Sequence, residues 1–366
     1  MTDLHVLLPD WVDDARRPSG GSRYDLRLCE GLVSRGWQVH RHLLAGPWPW
    51  PSETAPRRLR ETVAEIPDGA TLLVDGIIAS ATPDVLVPAS RRLRLVVLLH
   101  LPLGETFPES GDVAATRERE AAVLRAADAV VVTSTWTHHR VVARYGLVPA
   151  DVHIAEPGVD PAPLSTGTRG GTRLVQVGAV TAIKGHDVLL AALATLGDLD
   201  WRLRVIGSLD VEPVFASQVQ ARAAALDGRV ELTGTLVGER LPRELAASDL
   251  VVIPSRTETY GMVATEGLAR GIPVVATTAG GLPSTVGGGA GDVPGLLVAP
   301  DDADALASAL RRWLEDETLR ARLRSAARAR RTTLHGWGAT VDAVAAVLSH
   351  DGASGAPVAV ETRAAP

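Results

Sequence analysis

Glu258 and Glu266 have seven residues between them in SRTETYGMVATEGLARGIPVVAT, and Gly261 lies in the gap. The flanking runs DLVVIP and IPVVAT read as buried strands. The segment MVATEGLARG reads as a helix that begins near Gly261 and ends at Gly271, ahead of Pro273. Glu258 is then expected on the loop before the helix and Glu266 about two turns inside it. The N–H groups of Gly261, Met262 and Val263 would offer an anion site, and Gly261 would let a phosphate come close. A carboxylate repels a phosphate, so the glutamates suit sugar hydroxyls, two separated carboxylates holding two different diols. On spacing alone a plainer reading stands level with this one: Glu258 favours the helix dipole and Glu266 is a solvated helix residue.

A second candidate is VQVGAVTAIKGHDVLL, where a strand ends at Gly178 and a loop with Lys184 and Gly185 enters a helix at His186 or Asp187. Lys184 is the single lysine of the chain. A compact ammonium at a strand-to-helix turn can neutralise a phosphate as a point charge. The loop lacks the GxxxxGK[ST] pattern, and no GxGxxG turn follows the first strand, which disfavours a dinucleotide oxidoreductase. In PSGGSRYDLRLCEGL, Gly20, Gly21 and Ser22 lie between the first strand and a helix; their amides either face a cleft or make a plain turn. His100 ends the strand VVLLH, a place for a core or capping histidine unless other cleft residues converge on it. The triplets Asp198-Leu199-Asp200 and Asp302-Ala303-Asp304 do not follow strands at a cleft, and no His/Cys cluster or GxSxG elbow is present, so no metal is expected. Trp11, Trp48 and Trp50 line an acceptor site or pack in core and loops, with packing the favoured reading.

The elements that must position these residues alternate. LHVLLP, WQVHRHLL, TLLVDG, RLVVLLH and AVVVTS form one series of strand-like runs, and TRLVQVGAV, WRLRVIG, VELTG, DLVVIP, PVVAT and GLLVAP form another, with helical patterns between them. Such alternation implies parallel sheets with right-handed crossovers. Glu156 to Gly171, rich in Pro, Gly and Thr, is the expected linker. The fold class is therefore α/β, with two doubly wound domains facing a cleft at the carboxyl ends of their strands. After Pro300 one or two helices follow, with Asp301 or Asp302 as N-cap. The arginines between Arg311 and Arg331 are expected on a solvated helix face rather than on an anion-binding or membrane surface.

Composition narrows the field. A chain of 366 residues with 46% hydrophobic content suits two domains with sizeable cores. Cys29 is the only cysteine, so no intrachain disulfide exists, and a reducing, cytoplasmic setting is expected. No basic signal-like region opens the chain, and its longest apolar stretch, LRLVVLLHLPL, is too short to span a bilayer, although peripheral membrane contact stays open. A net charge of -6 argues against nucleic acid as the main partner.

Taken together, these stretches resemble the retaining family 4 glycosyltransferases of the GT-B fold. The E-x7-E of Glu258 and Glu266 carries most of the likeness, with VGAVTAIKG, LTGTL, ASDLVVIPS and the linker PGVD adding to it. The resemblance implies an N-terminal Rossmann-like acceptor-binding domain at 1–163 and a C-terminal nucleotide-sugar-binding domain at 171–332. It also implies a final helix, 333–350, that crosses back to the first domain; a disordered tail, 351–366, is expected to follow. It implies that Glu258 contacts the transferred sugar and Glu266 the ribose. Lys184 with the amides of Gly261, Met262 and Val263 would hold the diphosphate, Gly20, Gly21 and Gly178 would line the donor site, and His100 would face the reacting carbon. His100, Lys184 and Glu258 are then the catalytic candidates. No cofactor or metal is implied; the partners are a nucleotide sugar donor and a small-molecule or glycan acceptor. One departure is Ala179, where the family usually has arginine. That loss leaves more diphosphate charge to Lys184, unless Arg256 or Arg23 takes the place. The alternatives are a nucleotide-sugar-binding protein with impaired catalysis, or a phosphorylase or epimerase on the same fold.

Overall fold

The apolar runs of the sequence become strands of two six-stranded parallel sheets. The structure is a computed structural model that describes residues 2–52, 54–106, 113–287 and 292–350; the tail expected at 351–366 lies outside the described residues. The first sheet comprises β1 (Asp3–Pro9), β2 (Gln38–Leu44), β3 (Thr71–Asp75), β4 (Arg94–Leu99), β5 (Ala129–Val132) and β6 (Val152–Ile154). Its order is β2-β1-β3-β4-β5-β6. The second comprises β7 (Arg173–Val177), β8 (Arg202–Ile206), β9 (Val230–Gly234), β10 (Leu250–Ile253), β11 (Val274–Thr277) and β12 (Gly295–Val298), in the order β12-β11-β10-β7-β8-β9. Runs such as LVVI of β10 and VVAT of β11 are buried at every position, as strands covered on both faces must be. The three-residue β6 escapes the sequence reading because VHI buries a single side chain and has no legible period.

Helices of the first half are α1 (Gly20–Ser34), α2 (Thr54–Glu65), α3 (Gly76–Ala81), α4 (Pro83–Ala89), α5 (Leu103–Thr106), α6 (Val113–Ala126) and α7 (Thr135–Tyr145). Those of the second are α8 (His186–Ala194), α9 (Pro213–Ala224), α10 (Arg240–Ala246), α11 (Met262–Leu268), α12 (Leu282–Gly287), α13 (Ala303–Glu315), α14 (Glu317–Arg331) and α15 (Trp337–Ser349). No helix among the described residues is long and apolar enough to cross a membrane. Strand order reverses between β1 and β3 in one sheet and between β7 and β10 in the other. Loops leaving the carboxyl ends at such a switch point diverge and open a crevice. Asp75 ends β3, Lys184 and Glu258 lie on the loops after β7 and β10, and Gly20 opens the helix that follows β1.

The segment after β6 has no regular structure up to β7, yet it is fastened along its length. Val159 N–H donates to the His335 carbonyl, and Ser165 Oγ donates to the carbonyls of Ala246 and Ser248. Thr168 gives both its N–H and its hydroxyl to the Asp249 carboxylate at 2.6 Å each. The final helix α15 belongs to the first half by packing: Val341, Val344, Val347 and Leu348 are buried in the same cluster as Leu4, Leu28 and Leu32. Arg94 of β4 ties down its end by donating to the Val347 and Leu348 carbonyls.

The arginines of α13 and α14 meet the expectation of a solvated face only in part, for Arg312, Arg322 and Arg328 are exposed while others are engaged. Arg311 does lie outside, paired with Asp198. Arg320 is buried and donates to the carbonyls of Trp313 and Leu314. Arg324 reaches Thr168 O and Asp249, and Arg331 reaches Ala162 O and Ala269 O. A guanidinium carries donors in a fixed fork, so one arginine can satisfy several carbonyls that no regular structure pairs. The α14 arginines thus clamp the linker onto the second half.

Asp249 gathers that clamp. Its side chain is wholly buried and accepts from Thr168, Arg173 N and Arg324. Asp249→Ala strands Arg324 and two backbone donors, and should cost about 3–5 kcal/mol in urea unfolding. Arg311→Ala, which breaks only an exposed pair, should leave the unfolding midpoint in place.

Candidate active site

Lys184 closes a short 3-10 turn, Ala182–Lys184, that follows β7. Gly185 ends the turn at φ +66°, and a Cβ there would strike the Pro254 carbonyl, so glycine is required twice over. The aliphatic stem of Lys184 runs past Gly178 at van der Waals distance of where a side chain would start. Lys184 Nζ donates to Glu258 Oε2 at 2.6 Å. Glu258 sits on the loop between β10 and α11, and its carbonyl accepts from Gly281 N at 2.9 Å. The TTAGG turn after β11 therefore shapes this loop.

Gly261 stands at φ +90°, and a Cβ would lie 2.5 Å from Leu282 Cδ2. That conformation turns the chain into α11. Ala264 N–H donates to Gly261 O, whereas among the described residues the N–H groups of Gly261, Met262 and Val263 meet no acceptor. Three unpartnered amide donors thus begin the helix that follows the Glu258 loop, and Lys184 holds that loop through Glu258.

Glu266 lies little more than one turn inside the short α11, not the two expected, and at 8% exposed it is not the solvated residue of the plainer reading. Burial raises its carboxyl pKa, opposed by Arg23 and Arg270. Arg23, which comes from α1, contacts Glu266 and donates to Asp160 of the linker at 2.8 Å. This contact joins the two halves at Glu266.

Gly20 and Gly21 also depart from expectation: they are the first two residues of α1, not a loop ahead of it. Ser19 is the N-cap, its Oγ accepting from Ser22 N at 3.0 Å. A Cβ on Gly20 would come 3.3 Å from Met262 Sδ, and one on Gly21 3.2 Å from His100 Cδ2. The start of α1 is therefore wedged between the start of α11 and His100. His100 follows β4, with its ring edge-on to Tyr24 at 5.0 Å and its Nε2 2.8 Å from Asp25 Oδ1. Burial works against a charge on His100, but Asp25 and then Asp75 raise its pKa overall.

Contacts thus run without a break from His100 through Gly21, Gly20, Met262 and Gly261 to Glu258, Lys184 and Gly178. Other candidates are engaged elsewhere. Arg256 is held by Asp187 through two hydrogen bonds of 2.9 Å, by Asp301 and by the Ala182 carbonyl, so in this structure it does not fill the space at Ala179. Asp198 is occupied by Arg311, and Asp302 caps α13 through Ala305 N. Trp48 is buried, Trp11 packs at the core margin beneath Arg17, and Trp50 is exposed. The sequence reading missed Asp25, Asp75 and Asp160. Asp75 ends a buried parallel strand just as His100 does, which was a usable signal; Asp25 and Asp160 give none without the fold. Among the described residues Asp25, Asp75 and His100 are the one trio of metal-ligand types that converges.

Comparison with known proteins places this arrangement. The model for glycosyltransferase family 4 matches residues 18–163, and that for glycosyl transferases group 1 matches 168–330. D-inositol 3-phosphate glycosyltransferase 1 of Catenulispora acidiphila is 31% identical over 355 residues, covering 88% of this chain and 82% of that protein. The D-inositol 3-phosphate glycosyltransferase of Kineococcus radiotolerans is 33% identical over 251 residues, 61% of this chain and 57% of that protein. Among solved structures, sucrose-phosphate synthase from Thermosynechococcus elongatus superposes with a TM-score of 0.79 at 22% identity, over 95% of this chain and 98% of that one. HepE from Anabaena, solved with UDP-glucose, gives 0.73 at 18% identity, over 95% and 100%. With both halves matched in order and two Rossmann-like sheets facing one cleft, the chain belongs to glycosyltransferase family 4 and is a glycosyltransferase of the GT-B fold.

Proposed function

We propose that this enzyme transfers a sugar from a nucleoside diphosphate sugar to a hydroxyl of a small-molecule or glycan acceptor, with retention at the anomeric carbon and without a metal ion. The carrying observation is the placement of Lys184 beside Glu258 and the unpartnered amides of Gly261, Met262 and Val263. Residues 171–332 would hold the donor: the diphosphate on Lys184 and those amides, the sugar hydroxyls on Glu258, the ribose on Glu266. Residues 1–163 would present the acceptor, with His100 beside the transferred sugar. Lys184 and Arg23 pair with the two glutamates, and donor hydroxyls would replace these cations as partners of the carboxylates. That exchange frees the Lys184 ammonium for phosphate.

In the reacting complex the bond from the anomeric carbon to the phosphate oxygen breaks as the acceptor oxygen bonds to that carbon on the same face. The acceptor proton passes to the departing phosphate. Negative charge grows on the diphosphate during this step, so fixed donors there supply most of the acceleration. Metal independence rests on the family resemblance; of the acidic triplets, Asp198 is engaged by Arg311 and Asp302 caps α13. A second reading, binding without catalysis, draws on Ala179: the Arg256 guanidinium is committed to Asp187, Asp301 and the Ala182 carbonyl, which would leave the diphosphate charge to Lys184.

Thermal shifts with UDP, GDP, ADP and dTDP select the base. Incubation with the matching nucleotide sugars, D-inositol 3-phosphate being the first acceptor to try because the relatives carry its name, then separates the readings. Nucleotide release that persists in EDTA, with the anomeric configuration kept by NMR, supports the transferase; tight binding without release supports the sensor. Lys184→Ala should lower kcat about 100-fold while nucleotide affinity changes less, because the charge it meets develops in the transition state. An unchanged kcat with a weakened KM would count against that role. Glu266→Gln should instead raise donor KM about tenfold at nearly constant kcat, the pattern of a contact made equally in ground and transition states.

A further inference from the structure

Asp25, Asp75 and His100 meet behind the cleft wall from three elements: α1, the end of β3 and the residue after β4. One ligand-type atom from each lies within 4.8 Å of the other two. Asp25 is 2% exposed and Asp75 6%. Asp25 Oδ1 pairs with His100 Nε2, while Asp25 Oδ2 is buried without a partner. Asp75 caps α3, one oxygen accepting from Ile77 N at 2.8 Å. Among the described residues no arginine or lysine forms an ion pair with either carboxyl group, and their other close titratable neighbours are Tyr24, edge-on to His100, and Cys29 on α1. Two adjacent buried carboxylates that share one histidine repel each other, and a proton held between them relieves both the repulsion and the orphaned oxygen.

We propose that Asp75 carries a proton that it donates to Asp25 Oδ2, and that this acid–carboxylate pair positions His100, holding its Nε2–H on Asp25 and its opposite edge toward the donor. The proposal rests on the reading of the cleft as a nucleotide-sugar site. Asp25 and Asp75 are positioning residues: neither faces the cleft, and both act through the imidazole. With the shared proton, the trio is neutral when His100 is charged and carries one negative charge when it is not. Without it, another negative charge sits beneath the place where the diphosphate departs. Burial and then the charge of Asp25 push Asp75 up to about 7, so the proton is present below that pH and lost above it. The folded state then binds more protons than the unfolded chain between the usual carboxylate range and about 7, and this contribution to stability falls as pH rises through that window.

Asp75→Asn keeps a permanent donor to Asp25 Oδ2. It should fold, stay active within about threefold, and lack the decline in kcat/KM above pH 7 that is expected of the wild-type enzyme. Asp25→Asn should lower kcat about tenfold or more with donor KM little changed, because it releases the orientation of His100 rather than a substrate contact. Nitrogen NMR of histidine-labelled protein, with His100 assigned by His100→Gln, reads the ring directly in the absence of any substrate. The wild-type signal should show a proton on Nε2 and respond to a titration near pH 7 that Asp75→Asn removes. An Nδ1–H neutral tautomer, an unaltered titration in Asp75→Asn, or a metal ion held stoichiometrically by the trio would overturn the proposal. If no nucleotide sugar is turned over, the NMR outcome still decides the shared proton, so failure of the function and failure of the relay are told apart. If Asp25→Asn does not fold, the Asp75→Asn and wild-type titrations carry the decision.

Discussion

Lys184 and Glu258 face each other at 2.6 Å because neither charge can be withdrawn from water without a partner. The same constraint organises the rest of the cleft. Arg23 meets Glu266 and Asp160, and His100 meets Asp25. Each pair joins residues from separate elements: Lys184 and Glu258 from the loops after β7 and β10, Arg23 and Glu266 from α1 and α11. Buried pairs of this kind contribute little net stability, but breaking one side is costly. That asymmetry keeps the paired side chains in place.

Geometry at the strand ends makes the pairing reachable. Parallel strands aim their carboxyl ends at one crevice, and reversal of strand order spreads the loops that follow. β7 and β10 deliver Lys184 and Glu258 from neighbouring positions in one sheet, and β1, β3 and β4 deliver α1, Asp75 and His100 from the other. The two sheets are held by the fastened linker and by α14, whose arginines reach carbonyls that no strand or helix pairs. The last helix closes the circuit by burying its valines in the first half after the chain has finished the second.

Much of this was legible in the sequence. The strand runs, the glycine at the start of α11, the lone lysine at a strand-to-helix turn and the Pro/Gly-rich linker each carry a local physical reason for what they become. Residues that pair over long separations were not legible. Glu266 is solvated or buried according to whether an arginine 243 positions away reaches it. Arg320 and Arg324 look like surface charges because a helical arginine pattern is the same whether its far side meets water or a linker. Gly20 and Gly21 were read as a loop since paired glycines open helices as readily as they end strands.

The sequence by itself determined the local plan: alternating apolar runs for two parallel sheets, the E-x7-E segment with its glycine, and Lys184 after the seventh strand. These follow from periodicity and backbone chemistry, which act over a few residues. Only the tertiary structure decided which charges meet: Lys184 with Glu258, Arg23 with Glu266, and His100 with two aspartates from separate elements. Ion pairing and burial depend on distances in space, and those are set by how two sheets pack, not by the order of residues along either one.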